Sequence, residues 1–348
     1  MKHWRSRAPR VALVPALVCA AVLAVAGCGG GGGGGGGGGS SASGSGGRVT
    51  LRIGDQGKSL QLPLDLSGQS KGTSYGLNWN TFADGPHMNA AFSAGRIDVG
   101  YMGDTPVLYA NAARAGVRVV SVQKSPKNTQ VIIATKKSGI RTPADLKGKR
   151  VAFTTGTSLQ GYLLNQLQSA GLTQKDITTV NVPVTSLVST FESGNVDAFV
   201  YIDQYTAGLV KANPNAVRVA VTPLPQYGVI LASQKALADP AKRAAIKDFV
   251  VRLARASTWP KQHSQEWVNA YFVKQLHQNP AASARYFDAQ PVIHFGPVGD
   301  DFVESQRVQA RLLIGVGQLP SSLNVEDEID AAVNREFNPA LAAAVPAT

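Results

Sequence analysis

Gly95-Arg96-Ile97-Asp98-Val99-Gly100-Tyr101-Met102-Gly103-Asp104-Thr105-Pro106 is the stretch that decides the fold. Residues 97–102 read as a short buried strand. It ends at Gly103, where a missing Cβ lets the chain turn and another group come close. Thr105 suits a helix N-cap, Pro106 suits the first helical position, and the apolar run 107–113 continues as helix. A strand that feeds straight into a helix N-terminus presents free backbone N–H groups and the positive end of a helix dipole. That combination suits an anion.

The same design returns 99 residues later. Phe191, Gly194 and Asp197 repeat the placing of Phe92, Gly95 and Asp98, each set formed by a helix end, a glycine cap and a strand carrying Asp. One such turn is common in any α/β protein. Two in register predict two lobes of similar topology that face each other.

Outward from this pair, strands are expected at residues 49–54, 77–82, 117–122, 131–135, 150–153, 177–182, 217–221 and 227–231. Helices are expected at residues 86–94, 159–170, around Leu187 and Phe191, and from Asp239-Pro240 onward. In that last helix Ile246, Phe249, Val250 and Leu253 form the core face, and Lys242, Arg243, Lys247 and Arg252 a solvated one. Residues 124–128 and Pro223-Leu224-Pro225 read as two crossings between lobes. Residues 58–76 carry Leu60, Leu62, Leu64 and Leu66 in a polar Gly/Ser-rich context and resist assignment. Alternation of strands with helices predicts largely parallel sheets, whose ligands bind beyond the strands' carboxyl ends.

The N-terminus reads as a targeting segment. Arg5, Arg7 and Arg10 precede an apolar run, residues 11–26, that is short for a membrane span and right for a signal peptide. Val25-Ala26-Gly27-Cys28 resembles a bacterial lipobox, so residues 1–27 are expected to be removed and Cys28 to carry lipid. Residues 28–47, with unbroken glycine from Gly29 to Gly39, form a tether averaging on the order of 25 Å. Loss of residues 1–27 takes the net charge from +12 to +8. The remaining Lys and Arg are scattered, without the basic patch that nucleic acid requires. About 300 residues remain, enough for a sizeable core. Beyond Cys28 the chain has no cysteine, which excludes disulfides, a thiolate nucleophile and cysteine metal clusters from the body.

Catalytic signals are weak. Gly68-Gln69-Ser70-Lys71-Gly72 fits G-x-S-x-G but lacks the strand before and the helix after it. His263, Glu266, His277 and His294 lack metal-ligand spacing, and no phosphate loop occurs. No cofactor or metal is expected. A binding constellation remains. Gly103, Asp104 and Thr105 at one helix start, and Gly156, Thr157 and Ser158 at another, suit an oxyanion. Gln56, Phe82, Gly85, Tyr201, Asp203 and Tyr205 would form the walls, with Phe82, Tyr201 and Tyr205 covering an alkyl part. Any of the hydroxyls can instead be a plain N-cap. Asp104 and Asp203 disfavour a polyanion and would orient N–H groups or receive an ammonium group.

At these residues the chain resembles the solute-binding lipoproteins of ABC importers for aliphatic sulfonates, taurine and nitrate. The resemblance runs from about residue 49 to 337. It rests on residues 79–86, 95–106, 140–153, 156–172 and 191–205 taken together. It implies an α/β fold of the two-lobe, periplasmic-binding-protein-like type II, with mainly parallel sheets, flanking helices and a central ligand cleft. Residues 48–124 with 224–348 would make one lobe and residues 125–223 the other. It also implies an exported monomer, anchored by lipid to the outer face of the cytoplasmic membrane. This monomer would hand a small organic anion, first of all an aliphatic sulfonate, with taurine, nitrate or a thiamine-pyrimidine precursor as the alternatives, to a permease and its ATPase. By the same match Gly103, Asp104, Thr105, Gly156, Thr157, Ser158 and Asp203 fall on cleft segments. The chain departs from the pattern at residues 58–76 and at Ile202-Asp203-Gln204-Tyr205, where the sulfonate branch often has Trp-Asp-Pro-Tyr. Enzymes of pyrimidine synthesis and desulfination share this fold and imply Cys and His clusters, for which this body offers no cysteine. A sensory or adhesive lipoprotein is the third reading.

Overall fold

Two mixed sheets carry the molecule. The computed structural model describes residues 48–345, so the expected signal peptide, Cys28 and the tether lie outside the described residues. The strands are β1 (Thr50–Asp55), β2 (Gly76–Thr81), β3 (Val99–Gly103), β4 (Val117–Ser125), β5 (Gln130–Thr135), β6 (Arg150–Phe153), β7 (Thr178–Asn181), β8 (Ala198–Ile202), β9 (Ala216–Arg218), β10 (Gln226–Ser233) and β11 (Phe295–Gly296). The first sheet has the order β11-β4-β10-β3-β1-β2 and the second β7-β6-β8-β5-β9.

The two sheets repeat one plan. In the first, β1 runs parallel to β2 and β3; in the second, β6 runs parallel to β7 and β8. Next comes one antiparallel strand, β10 in the first sheet and β5 in the second. Largely parallel sheets were expected, and the pairing is mixed. The reason is chain entry. Strands β5 and β10 are the ones that arrive from the other sheet after a crossing, so they run against their neighbours.

The sequence echo has a structural counterpart. Asp98 Oδ1 accepts from Arg52 Nη2 at 2.6 Å and Oδ2 from the Arg52 amide at 3.0 Å, while Arg52 Nη1 reaches the Gly95 carbonyl. Asp197 makes the same bonds to Arg150, at 3.0 and 2.8 Å, and Arg150 reaches the Gly194 carbonyl. In each copy the Asp closes the helix–strand turn onto the neighbouring strand. Gly95 and Gly194 sit at φ of 64° and 76°, where a side chain is strained. Lys242 also binds Asp98, so this helix face is not merely solvated. Burial works against the Asp98 charge, but the bonds from Arg52 and Lys242 outweigh it and lower the carboxyl to about 2.

Helix Pro240–Ala256 follows its sequence pattern. Asp239 caps it through the Ala241 and Lys242 amides, and Ile246, Phe249, Val250 and Leu253 are buried against the first sheet. Each such side chain contributes about 1.5–3 kcal/mol. The unassigned stretch contains a short helix, Gln61–Leu66, that buries Leu60 and Leu64. Its own residues supply no side-chain cap. Asp55, at the end of β1, accepts from the Gln56, Leu60 and Gln61 amides and from Ser59 Oγ, and so organises this turn. Among the described residues no helix is long and apolar enough to cross a membrane.

Candidate functional site

The carboxyl ends of β1, β3, β4 and β8 and the beginnings of β5 and β10 converge on a cavity of about 320 Å³. Two chain crossings border it and are stitched together. The Leu224 amide donates to Asn128 Oδ1 at 3.0 Å, Asn128 Nδ2 donates to the Thr222 carbonyl, and Gln226 Oε1 accepts from both the amide and hydroxyl of Thr129. The stretch after helix Pro240–Ala256 supplies the remaining wall. Gln278 donates to the Gln204 carbonyl, and Gln204 Nε2 to the Tyr271 hydroxyl, tying that wall to the end of β8.

The lining has a distinct chemistry. Among the described residues it contains no Asp or Glu and a single cation, Lys261. Six glutamines line it: Gln56, Gln123, Gln130, Gln204, Gln226 and Gln290. Gln56 Nε2 is buried and finds no acceptor among the described residues. An amide donor left without a partner in a dry site costs about 1–3 kcal/mol, so an acceptor entering the cavity recovers that loss. Gln130 Nε2 donates to Ser158 Oγ at 3.3 Å, and Tyr101 OH donates to Gln123 Oε1 at 3.1 Å. Burial lowers the Lys261 ammonium from its ordinary value, and its proton donors rest on the Phe287 and Asp288 carbonyls. Burial pushes the Asp55 carboxyl up, against the bonds it accepts from Gln61, Ser59, Leu60 and Gln56.

Of the residues expected at the site, Gln56, Gly103, Ser158 and Tyr205 line the cavity. The two helix starts do meet: a Cβ on Gly103 would lie 2.8 Å from both Cβ and Oγ of Ser158. The other polar groups are engaged within the protein. The N-cap of helix Thr105–Ala112 is Asp104 rather than Thr105, because its carboxylate accepts from the Thr105 amide at 2.8 Å. Asp104 also accepts from Gln309 Nε2 at 2.8 Å, and burial raises its carboxyl. Thr105 is fully buried and donates to Gln309 Oε1. The Gly156 amide donates to Gln160 Oε1, and Thr157 caps helix Ser158–Ser169 while donating to the Thr154 carbonyl. Thus one helix start already carries an internal carboxylate, and at the other the Gly156 amide has an internal acceptor.

The expected walls also shift. Gly85 lies so close to Pro106 that a Cβ would fall within 2.4 Å of its ring. Phe82 packs on the core around Met88 and Phe92. Tyr201 packs at a tilt between Phe199 and Tyr205. Asp203 pairs with Arg218 and with Thr206 Oγ1, and its amide donates to the Thr129 carbonyl. None of these four is among the residues that line the cavity. Asp104 instead borders a second cavity of about 400 Å³, which shares Gln130, Ser158, Gln226 and Tyr227 with the first.

Sequence reasoning missed Gln123, Gln130, Gln226 and the aromatic wall. Gln130 and Gln226 open apolar strands directly after the crossings, and that position was the available signal. Trp267, Tyr271 and Phe272 pack together, and they also face the cavity.

Comparison with known proteins fits this geometry. The family described as ABC transporter, phosphonate, periplasmic substrate-binding protein matches residues 70–275. A putative aliphatic sulfonates-binding protein of Escherichia coli K12 is 29% identical over 80% of this chain and 88% of its own length. The solved alkanesulfonate-binding protein of Xanthomonas axonopodis pv. citri, bound to MOPS, superposes with a TM-score of 0.72 at 25% identity, over 81% of this chain and 98% of that one. The periplasmic aliphatic sulphonate binding protein of Escherichia coli gives 0.70 at 27% identity, over 81% and 92%.

Proposed function

Since the chain belongs to the family of periplasmic substrate-binding proteins of ABC transporters described for phosphonate, we propose that its own solute is a small organic sulfonate held in the cavity between the two sheets. The observation that carries this reading is the lining: one ammonium group, no carboxylate and six glutamine amides. A sulfonate is a monoanion at every physiological pH and accepts hydrogen bonds on three oxygens, so neutral donors suffice to hold it. A phosphonate takes up a second charge near neutrality and would call for more cations than the lining holds. The names of the similar proteins point to the same class.

In this reading Gln56 Nε2, Gln130 and Ser158 hold the sulfonate oxygens close to the Gly103 backbone. Gly156, Thr157, Asp104 and Thr105 fix the two helix starts beside it. Phe82, Gly85, Tyr201 and Asp203 brace the walls. The loaded protein delivers its solute to a permease driven by an ATPase, acts as a monomer, and is held to the membrane through lipid on Cys28. Its role is capture without turnover. Titration calorimetry with hexanesulfonate and hexylphosphonate tests the choice. The sulfonate should bind at least tenfold more tightly, and tighter binding of the phosphonate would refute it.

A further inference from the structure

The cavity's organic end is built of rings. Nine of its lining side chains are aromatic and five are aliphatic, in a chain that is only 7% aromatic. Most of the rings come from residues 267–287, which form one wall of the cavity. Trp267 and Tyr271 stack with centroids 4.7 Å apart and planes 12° from parallel. Phe272 meets Tyr271 edge-on at 5.3 Å, and Tyr286 meets Phe272 at 5.9 Å and 61°. Phe295 closes the other side, edge-on to Tyr101 at 5.6 Å. The segment Val268–Gln275 is π-helical, a widened turn frequent at functional sites, and it carries both Tyr271 and Phe272 on the cavity wall. Lys261 Nζ lies 4.4 Å from the centre of the Phe287 ring.

We infer that the solute is an aromatic sulfonate, its ring seated against the Trp267–Tyr286 wall and its sulfonate on the glutamine end; this inference rests on the reading of the site as a sulfonate site. The physical reason is selectivity between equal shapes. An alkyl body gains from such a wall only through the area it removes from water. A flat π-system gains that area and, beyond it, the favourable offset or edge-on contact of opposed quadrupoles. It also brings no rotors to freeze on binding, whereas a flexible chain loses freedom in the same space. Because the rings pack on one another, the wall is set before the solute arrives and fits a rigid flat body.

The test is a matched pair, benzenesulfonate against cyclohexanesulfonate, titrated by calorimetry into the full chain held in phosphatidylcholine nanodiscs. The ring compound should bind about tenfold more tightly than its saturated counterpart. In Tyr286→Leu and, separately, in Phe295→Leu, the ratio of the two Kd values should fall toward one. Should cyclohexanesulfonate bind as tightly as benzenesulfonate, the aromatic assignment is overturned while the sulfonate reading stands. Should neither bind at millimolar concentration, both are overturned.

Discussion

Replacing Gly103 with alanine places a methyl group where the two sheets meet. Gly103 closes β3 and carries no positive φ, so alanine suits its backbone. The new Cβ would sit 2.8 Å from Cβ and Oγ of Ser158, at the start of the helix that follows β6. Ordinary carbon contact begins near 3.5 Å, so the strand end and the helix start must part by about 0.7 Å. Overpacking of this kind costs about 1–3 kcal/mol. The clash exists only while the two sheets approach, so a protein hinged open escapes it and the cost falls on solute binding. The Kd for hexanesulfonate should therefore rise about 5- to 150-fold. The unliganded melting temperature should change by no more than about 2 °C. Gly103→Ala combined with Ser158→Gly removes both clashing atoms and should regain part of the lost affinity, less the contribution of the serine hydroxyl. Wild-type affinity in Gly103→Ala would refute the reasoning, and so would a drop in unliganded melting temperature that accounts for the whole effect.

Other outcomes follow from particular residues. Asp98 and Asp197 share the bonds to an arginine, Asp98 adds Lys242, and their side chains are 2% and 26% exposed. Asp98→Asn should cost about 1.5–3 kcal/mol in urea unfolding and Asp197→Asn about 0.2–1 kcal/mol; equal costs would contradict the argument from burial and from the second cation. Burial pushes the Glu328 carboxyl from its ordinary 4.5 up to about 8, against bonds from Gln306 and Asn111, with Asp104 and Glu326 pushing the same way. The folded state then keeps a proton that the unfolded state has released. Its stabilising effect is complete below pH 4.5 and is lost as pH rises to about 8. In Glu328→Gln the fall in melting temperature between pH 5 and 8 should be shallower, and an unchanged slope would show that the group does not titrate there. Cys28→Ala should release the protein from membranes into the soluble fraction, and continued sedimentation with membranes would argue against a lipid anchor at that position.

The sheet plan was legible because local rules and tertiary packing agree along it. The Gly95 and Gly194 turns, the Pro-bearing helix starts at Gly85-Pro86 and Asp239-Pro240, and the apolar stripe of helix Pro240–Ala256 each follow from nearby residues. The helix Gln61–Leu66 was hidden because its cap is Asp55, on the preceding strand, and Pro63 lies inside it. Strand direction was hidden as well, since nothing in Gln130–Thr135 or Gln226–Ser233 records which sheet the chain has just left. At the site the sequence located the segments but not the donors. A helix start looks open to an anion until the partners of its amides are known, and Asp104 and Gln160 hold two of them. The aromatic wall reads as core in one dimension because the same rings do both, packing on each other and facing the cavity.

A crystal structure of the protein with benzenesulfonate bound is the most direct measurement. The sulfonate group should lie within hydrogen-bond distance of Gln56 Nε2 and Ser158, beside Gly103, with the ring against Tyr271 and Tyr286. A sulfonate found outside this cavity, or in it with Gln56 Nε2 still unpaired, would contradict the account.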